Sequence, residues 1–145
     1  MFRVYCKDIE CYPKRAHVTD AGLDLKSAEN VLIEPDETRL VHCGIHIEIP
    51  QGFAGFIFPR SGLATKKGLR LANSVGVIDS DYRGEIMCAF TVDTGRPAYK
   101  IEKYDRIAQL VILPFWQGIL ENVDELYKLS KTGRGSGGFG HTGVN

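Results

Sequence analysis

Apolar and polar residues alternate over several stretches of the chain with the period of two that a half-buried strand requires. Ile45-His46-Ile47-Glu48-Ile49 is the cleanest run, and Pro50-Gln51-Gly52 stops it. Phe53 to Phe58 is a second apolar run with a glycine inside it. Glu85 to Val92 and Arg106 to Leu113 are further runs, the latter apolar enough to be buried on both faces. Turn material separates them at Glu34-Pro35-Asp36-Glu37, Asp93-Thr94-Gly95-Arg96-Pro97 and Leu113-Pro114. Short strands at this spacing predict an all-β fold, a sandwich or jelly-roll-like barrel, in preference to α/β. The helical signal is thin. Ser61 to Lys67 offers one or two turns after Pro59, and Asn122 to Leu129 reads nearly as well as strand as it does as helix.

Composition narrows the class. A length of 145 residues fits one domain. A chain of that size can bury roughly 68–70% of its unfolded surface, so it needs no metal or disulfide to fold. Eighteen basic and 18 acidic residues leave no net charge, which argues against a protein that coats nucleic acid. No apolar stretch approaches the ~18 residues of a membrane span, and Met1 to Cys6 does not read as a signal peptide, so a cytoplasmic location is expected (the host-cell interior if the source is viral). Cys6, Cys11, Cys43 and Cys88 form no C-x-x-C pair and are expected to be reduced, with Cys43 and Cys88 as small core residues. His42 and His46 have the i, i+4 spacing of a helix face, but their segment reads as a strand, and a shared metal is not expected there.

The last fifteen residues, 131–145, hold six of the 16 glycines and are expected to form a tail after a domain at 1–130. Such a segment has few side chains to bury and a high backbone entropy to lose on ordering. Two G-x-G-x-x-G matches, at Gly133 and Gly135, are not a dinucleotide fingerprint, because no helix can follow so near the C-terminus. Yet glycine amides can wrap phosphate, Arg134 can meet its charge, and Phe139 can stack on a base.

Four other segments carry more polar chemistry than packing needs. In Ala21-Gly22-Leu23-Asp24-Leu25 an acid lies between two leucines, either as a cap or as a group aimed into a site. Pro59-Arg60-Ser61-Gly62-Leu63-Ala64 offers a cation, a hydroxyl and free amides at a helix start, which is an anion site by geometry or simply a turn. Asn73 to Ile86 reads as two strands joined in a hairpin by a polar loop at Asp79 to Gly84. That loop is a solvated turn, or it supplies an aspartate base with Tyr82 as an apolar plate beside a ligand. In Asp105-Arg106-Ile107-Ala108-Gln109-Leu110, Gln109 lies among apolar neighbours, where its amide must bond backbone or face a ligand.

Together and in order, AGLDLKSA, PRSGLA, NSVGVIDSDYRGEI, DRIAQL and RGSGGFGHTG resemble the five motifs of the homotrimeric dUTP diphosphatases, the dUTPases. They run from Ala21 to Gly143. The resemblance implies a β jelly roll, assembled as a homotrimer with active sites shared between subunits. The implied reaction is Mg²⁺-dependent hydrolysis of dUTP to dUMP and pyrophosphate, which limits uracil in DNA and supplies dUMP for dTTP synthesis. Asp79 matches the base that activates the water attacking the α-phosphorus, and Asp24 the acid that holds Mg²⁺ through water. Arg60, Ser61 and Gly62 match the phosphate-binding segment, and Gln109 a phosphate ligand. Asn73, with Val77 and Ile78, matches the uracil-reading edge. Tyr82 matches the residue under the deoxyribose, and Met87 a substrate-lining position. Arg134 matches the γ-phosphate contact; Phe139, followed by Gly140, matches the ring that closes over uracil.

Two positions depart from the family pattern. Tyr104 stands where glycine is common, which is awkward for a turn that needs positive φ, and His141 stands where serine is frequent. A dCTP deaminase shares the fold but carries a catalytic glutamate; Asp79 and the full glycine-rich tail favour the dUTPase. A regulatory protein of the same fold, acting through protein partners, is the alternative of a different class.

Overall fold

The computed structural model describes residues 2–138. Among these there are eleven strands: β1 (Arg3–Cys6), β2 (Leu23–Lys26), β3 (Val31–Ile33), β4 (Thr38–His42), β5 (Ile45–Glu48), β6 (Phe53–Pro59), β7 (Leu69–Leu71), β8 (Gly76–Ile78), β9 (Met87–Val92), β10 (Tyr99–Ile101) and β11 (Arg106–Pro114). They form a four-stranded sheet in the order β2-β11-β6-β8, a three-stranded sheet β4-β9-β7, and the pairs β1-β5 and β10-β3. Every one of these strand pairs is antiparallel. The all-β jelly-roll expectation holds.

The core lies between the sheets. Leu25, Ile57 and Leu110 come from the four-stranded sheet, Val41, Cys88 and Phe90 from the three-stranded one, and all are buried. Strand β5 alternates buried and half-buried along Ile45–Glu48, as its sequence pattern requires. Burying a Leu, Ile or Phe side chain stabilises by roughly 1.5–3 kcal/mol, so this cluster is the main support of the fold. All four cysteines are free thiols, and Cys11, Cys43 and Cys88 are buried. Cys43 Sγ lies 3.8 Å from Cys88 Sγ. That contact, together with burial, holds the Cys43 thiol well above its ordinary pKa.

Three expectations are revised. The segment from Asn73 to Ile86 is not a hairpin: β8 pairs with β6 and β9 pairs with β4 and β7. Its polar loop therefore crosses from one sheet to the other. Strand β11 is buried on both faces only at its start, since Val111 and Ile112 are half-buried and Leu113 is exposed. Residues 122–129 form neither helix nor strand apart from a short 3₁₀ turn, Leu126–Lys128. Past β11 the described chain leaves Trp116, Ile119, Leu120 and Leu126 exposed.

Candidate active site

The register of the four-stranded sheet places the first group of polar residues. Gln109 on β11 lies directly opposite Asp24 on β2 and Phe58 on β6. Directly paired residues share a face, so all three stand on the side away from the core. Gln109 Nε2 donates to the Pro59 carbonyl at 3.0 Å, which leaves its second N–H and its oxygen free of that contact. Gly22 makes this position possible: a Cβ there would lie 2.7 Å from Gln109 Oε1.

Asp24 is held between two arginines. Arg106 donates to its Oδ2 at 3.0 Å, and Arg60 Nε lies 3.6 Å from its Oδ1. Arg60 also donates to the Arg106 carbonyl at 2.7 Å. Arg106 was not singled out from the sequence. The signal for it was present, as a cation at the mouth of a buried strand, but strict alternation would have turned it to the core. The ladder shifts register between Arg106 and Ala108, so that Ile107 and Ala108 are buried in succession and Arg106 emerges on the face of Asp24.

Arg60, Ser61 and Gly62 follow β6 directly. Ser61 begins a short helical segment that continues as Leu63–Lys67 and is closed by Gly68 at φ 71°. The Leu63 and Ala64 amides both bond the Arg60 carbonyl, which turns Ser61 and Gly62 outward at the open start of the segment. Asp24, Arg60, Ser61, Arg106 and Gln109 line one cleft of about 420 Å³. Two guanidiniums, a hydroxyl and an amide in one cleft can meet phosphate oxygens, with the Asp24 and Asp20 carboxylates set beside them.

The second group lies elsewhere on the chain. Asp79 is exposed and lines a separate cleft of about 650 Å³ with Ser80, Asp81, Arg83, Phe115 and Gln117. Tyr82 donates its hydroxyl to the Glu85 carbonyl at 2.9 Å, with the ring still 39% exposed. Val77 on β8 is exposed opposite Phe56 of β6, and Ile78 is half-buried against the core. Asn73 precedes Ser74, whose φ of 63° makes the tight turn into β8. Met87 opens β9 and is exposed. Arg134 is exposed in a turn of its own, with Nε donating to the Gly137 carbonyl at 2.7 Å. Phe139 and Gly140, with His141, lie outside the described residues. The fold thus brings Asp24, Arg60, Ser61 and Gln109 together, and lines a different cleft with Asp79.

The antiparallel all-β scaffold thus carries a cleft in which two arginines, a hydroxyl and an amide can meet an anionic ligand. The dUTPase family model matches residues 10–143, and the chain belongs to the dUTPase family. The deoxyuridine 5'-triphosphate nucleotidohydrolase of Corynebacterium jeikeium (strain K411) is 46% identical over 133 residues, covering 91% of this chain and 85% of that protein. The enzyme of the same name from Corynebacterium diphtheriae is 49% identical over 136 residues, covering 92% of this chain and 86% of that protein. Among solved structures, a variant of the Staphylococcus bacteriophage 80alpha dUTPase with dUpNHpp superimposes with a TM-score of 0.86 at 32% identity, over 99% of both chains. A variant dUTPase from phage phi11 of S. aureus, described for its coordination of a structural Mg(II) ion, gives a TM-score of 0.77 at 28% identity, over 87% of this chain and 98% of that one.

Proposed function

We propose that this protein hydrolyses dUTP to dUMP and pyrophosphate, with Asp79 as the general base for water attack on the α-phosphorus. The observation that carries the reading is the cleft where Asp24, Arg60, Ser61 and Gln109 meet across three segments distant in sequence. Phosphoryl transfer needs positioning and charge neutralisation more than covalent chemistry, and this cleft supplies both. Arg60, Ser61, the Gly62 amide and Gln109 bind the phosphates. Asn73 and the backbone of Val77 and Ile78 read the uracil edge. Tyr82 packs under the deoxyribose, and Met87 lines the same pocket. The tail at 131–145 brings Arg134 to the γ-phosphate, and Phe139 with Gly140 over uracil.

Of the two carboxylates in the cleft, Asp20 is engaged by His17 and Asp24 lies among the phosphate-binding side chains. Among the described residues no three His, Cys, Asp or Glu side chains are grouped to hold a metal ion. That donor set fits Mg²⁺ arriving on the triphosphate with its own waters, with Asp24 reaching it through water. When bound, the ion neutralises charge on the phosphates.

Asp79 and Asp24 line different clefts of one chain. That supports a homotrimer in which neighbouring subunits complete each site, and the exposed Trp116, Ile119 and Leu120 support burial against a partner. No helix among the described residues is long and apolar enough to cross a membrane; we place the enzyme in the cytoplasm. The test is product analysis with dUTP, dCTP and UTP in the presence of Mg²⁺. Pyrophosphate released from dUTP alone supports the reading, and ammonia released from dCTP overturns it.

A further inference from the structure

The loop that carries Asp79 and Tyr82 crosses between two sheets, so no hairpin ladder fixes its shape. Its far end is fixed instead by the β4–β5 connection. Glu85 Oε1 accepts from the Gly44 amide at 2.9 Å, and Glu85 Oε2 meets His42 Nδ1 at 2.9 Å. His46 Nδ1 donates to the Arg83 carbonyl at 2.9 Å. Two backbone bonds continue the attachment, from Cys43 N–H to the Ile86 carbonyl at 3.0 Å and from Ile86 N–H to the Ile45 carbonyl at 2.8 Å. Inside the loop, the Tyr82 hydroxyl closes onto the Glu85 carbonyl, and Arg83 Nη1 donates to the Ser80 and Tyr82 carbonyls. His42, His46 and Glu85 border a cavity of about 1000 Å³ that Asp79 and Asp24 do not line.

We propose that Glu85, His42 and His46 act as a clamp that positions the Asp79–Tyr82 loop and so sets the rate of dUTP hydrolysis without touching the nucleotide. The inference rests on the reading of Asp79 as the general base. All three are positioning residues. A loop anchored at one end by two imidazoles and a carboxylate keeps a base in line with its water; released, it samples geometries that do not react.

The clamp is also pH-dependent. His42 faces Glu85 and Glu29, whose Oε1 accepts the His42 amide at 2.9 Å. Tyr5, Lys7, Asp8, Cys11, His46 and Lys103 are the other charged or titratable groups around the cavity. The Glu85 hydrogen bond, against burial, raises the His42 pKa, with the charges of Glu85 and Glu29 adding to it. Burial pushes the Glu85 carboxyl up, but the His42 and Gly44 hydrogen bonds outweigh it and leave the group below its ordinary value. The Glu85 contribution is present above the ordinary carboxylate range and is lost as pH falls through its lowered pKa. The His42 contribution is present below the ordinary imidazole value of about 6.5 and is lost as pH rises through its raised pKa. Turnover therefore has an alkaline falling limb that belongs to His42.

The experiment compares the full-length parent with Glu85→Ala, Glu85→Gln, His42→Ala, His42→Asn and Asp79→Asn. It measures kcat and KM across pH, melting temperature, and hydrogen exchange of residues 79–86. The alanine variants are expected to lose about tenfold in kcat, less than the ~10²-fold cost of a 1 Å misplacement, with faster exchange confined to the loop. His42→Asn, which keeps a neutral donor near the Nδ1 position, should exceed His42→Ala and run, at every pH, near the level the parent reaches above the His42 pKa, with no alkaline limb. Should an alanine variant fail to fold, Glu85→Gln, His42→Asn and the parental pH profile decide the matter. Parental kcat and pH profiles in the clamp variants, beside an inactive Asp79→Asn, overturn this inference alone. An active Asp79→Asn overturns the base assignment and the clamp with it.

Discussion

Arg106 donates to Oδ2 of Asp24 at 3.0 Å because β11 takes up one extra residue at Ile107. Without that bulge Arg106 would point into the core and Asp24 would keep only Arg60, at 3.6 Å. Arg106→Ala is expected to lower kcat/KM for dUTP by roughly 10- to 150-fold, one lost charge-assisted contact being worth about 1.5–3 kcal/mol. Stability should change by no more than about 1 kcal/mol, since Arg106 is half exposed. Steady-state kinetics beside a thermal melt check both; a variant that melts like the parent and keeps parental kcat/KM would contradict the assignment.

Asp79→Asn should abolish turnover and leave nucleotide binding largely intact. The amide is nearly isosteric but cannot accept the proton, and a lost general base costs on the order of 10²–10⁴ in rate. The check is pyrophosphate release together with calorimetric binding of a non-hydrolysable dUTP analogue. Turnover within about threefold of the parent would remove Asp79 from the mechanism, given the size of that effect.

Tyr82 is expected to set the preference for dUTP over UTP. Its hydroxyl donates to the Glu85 carbonyl, which fixes the ring within the loop at Asp79 to Gly84. A ribose 2′-hydroxyl pressed against that ring loses its hydration at a cost of roughly 1–3 kcal/mol. Tyr82→Ala should narrow the ratio of kcat/KM values for the two nucleotides. Tyr82→Phe should keep discrimination and slow turnover, because the ring stays while its tether goes. Equal parental efficiency on UTP and dUTP is the result that would defeat this role.

A truncation after Thr132 should spare folding and assembly, because the last strand ends at Pro114 and the described contacts of Arg134 are local. Catalysis should collapse with loss of the γ-phosphate cation, the uracil cover and the exclusion of water. Phe139→Ala alone should be milder, near the roughly 1–3 kcal/mol of base–aromatic stacking. Pyrophosphate assays and light scattering test both halves. Near-parental turnover in the truncated protein would reduce the segment to a passive tail, and loss of assembly would make it structural.

Tyr104 adopts φ 74°, the left-handed backbone its position demands. Its hydroxyl donates to Asp8 Oδ2 at 2.6 Å, and Lys103 Nζ sits 4.7 Å from the ring centroid. The Tyr104 hydrogen bond, with the Glu10 amide, holds the Asp8 carboxyl below its ordinary range. Tyr104→Ala keeps the backbone strain and loses these contacts, whereas Tyr104→Gly loses the contacts but relieves the strain. The alanine variant should be the less stable by about 1–2 kcal/mol, the cost of left-handed backbone for a residue with a Cβ. For a chain of this size each kcal/mol moves Tm by roughly 2–4 °C. Equal melting temperatures for the two variants would show that the turn is not strained.

The local sequence determined what depends on neighbouring residues. The alternation of Ile45 to Ile49 specified β5, the Pro59-Arg60-Ser61-Gly62 step specified a strand end followed by a helical turn, and the five motifs named the family. Tertiary structure decided what depends on partners distant along the chain. The residues from Asn73 to Ile86 look like a hairpin because strand, polar loop and strand follow in order, yet β8 and β9 bond to different sheets. No local pattern encodes which distant strand an edge will meet. The bulge at Ile107 turned Arg106 toward Asp24, and Tyr104 accepted a backbone conformation that sequence statistics reserve for glycine because Asp8 and Ser27 bond it there. The separation of the Asp79 and Asp24 clefts is of the same kind. Each side chain's type follows from its motif, but its place follows from sheet register, and register is fixed by which faces the whole chain must bury.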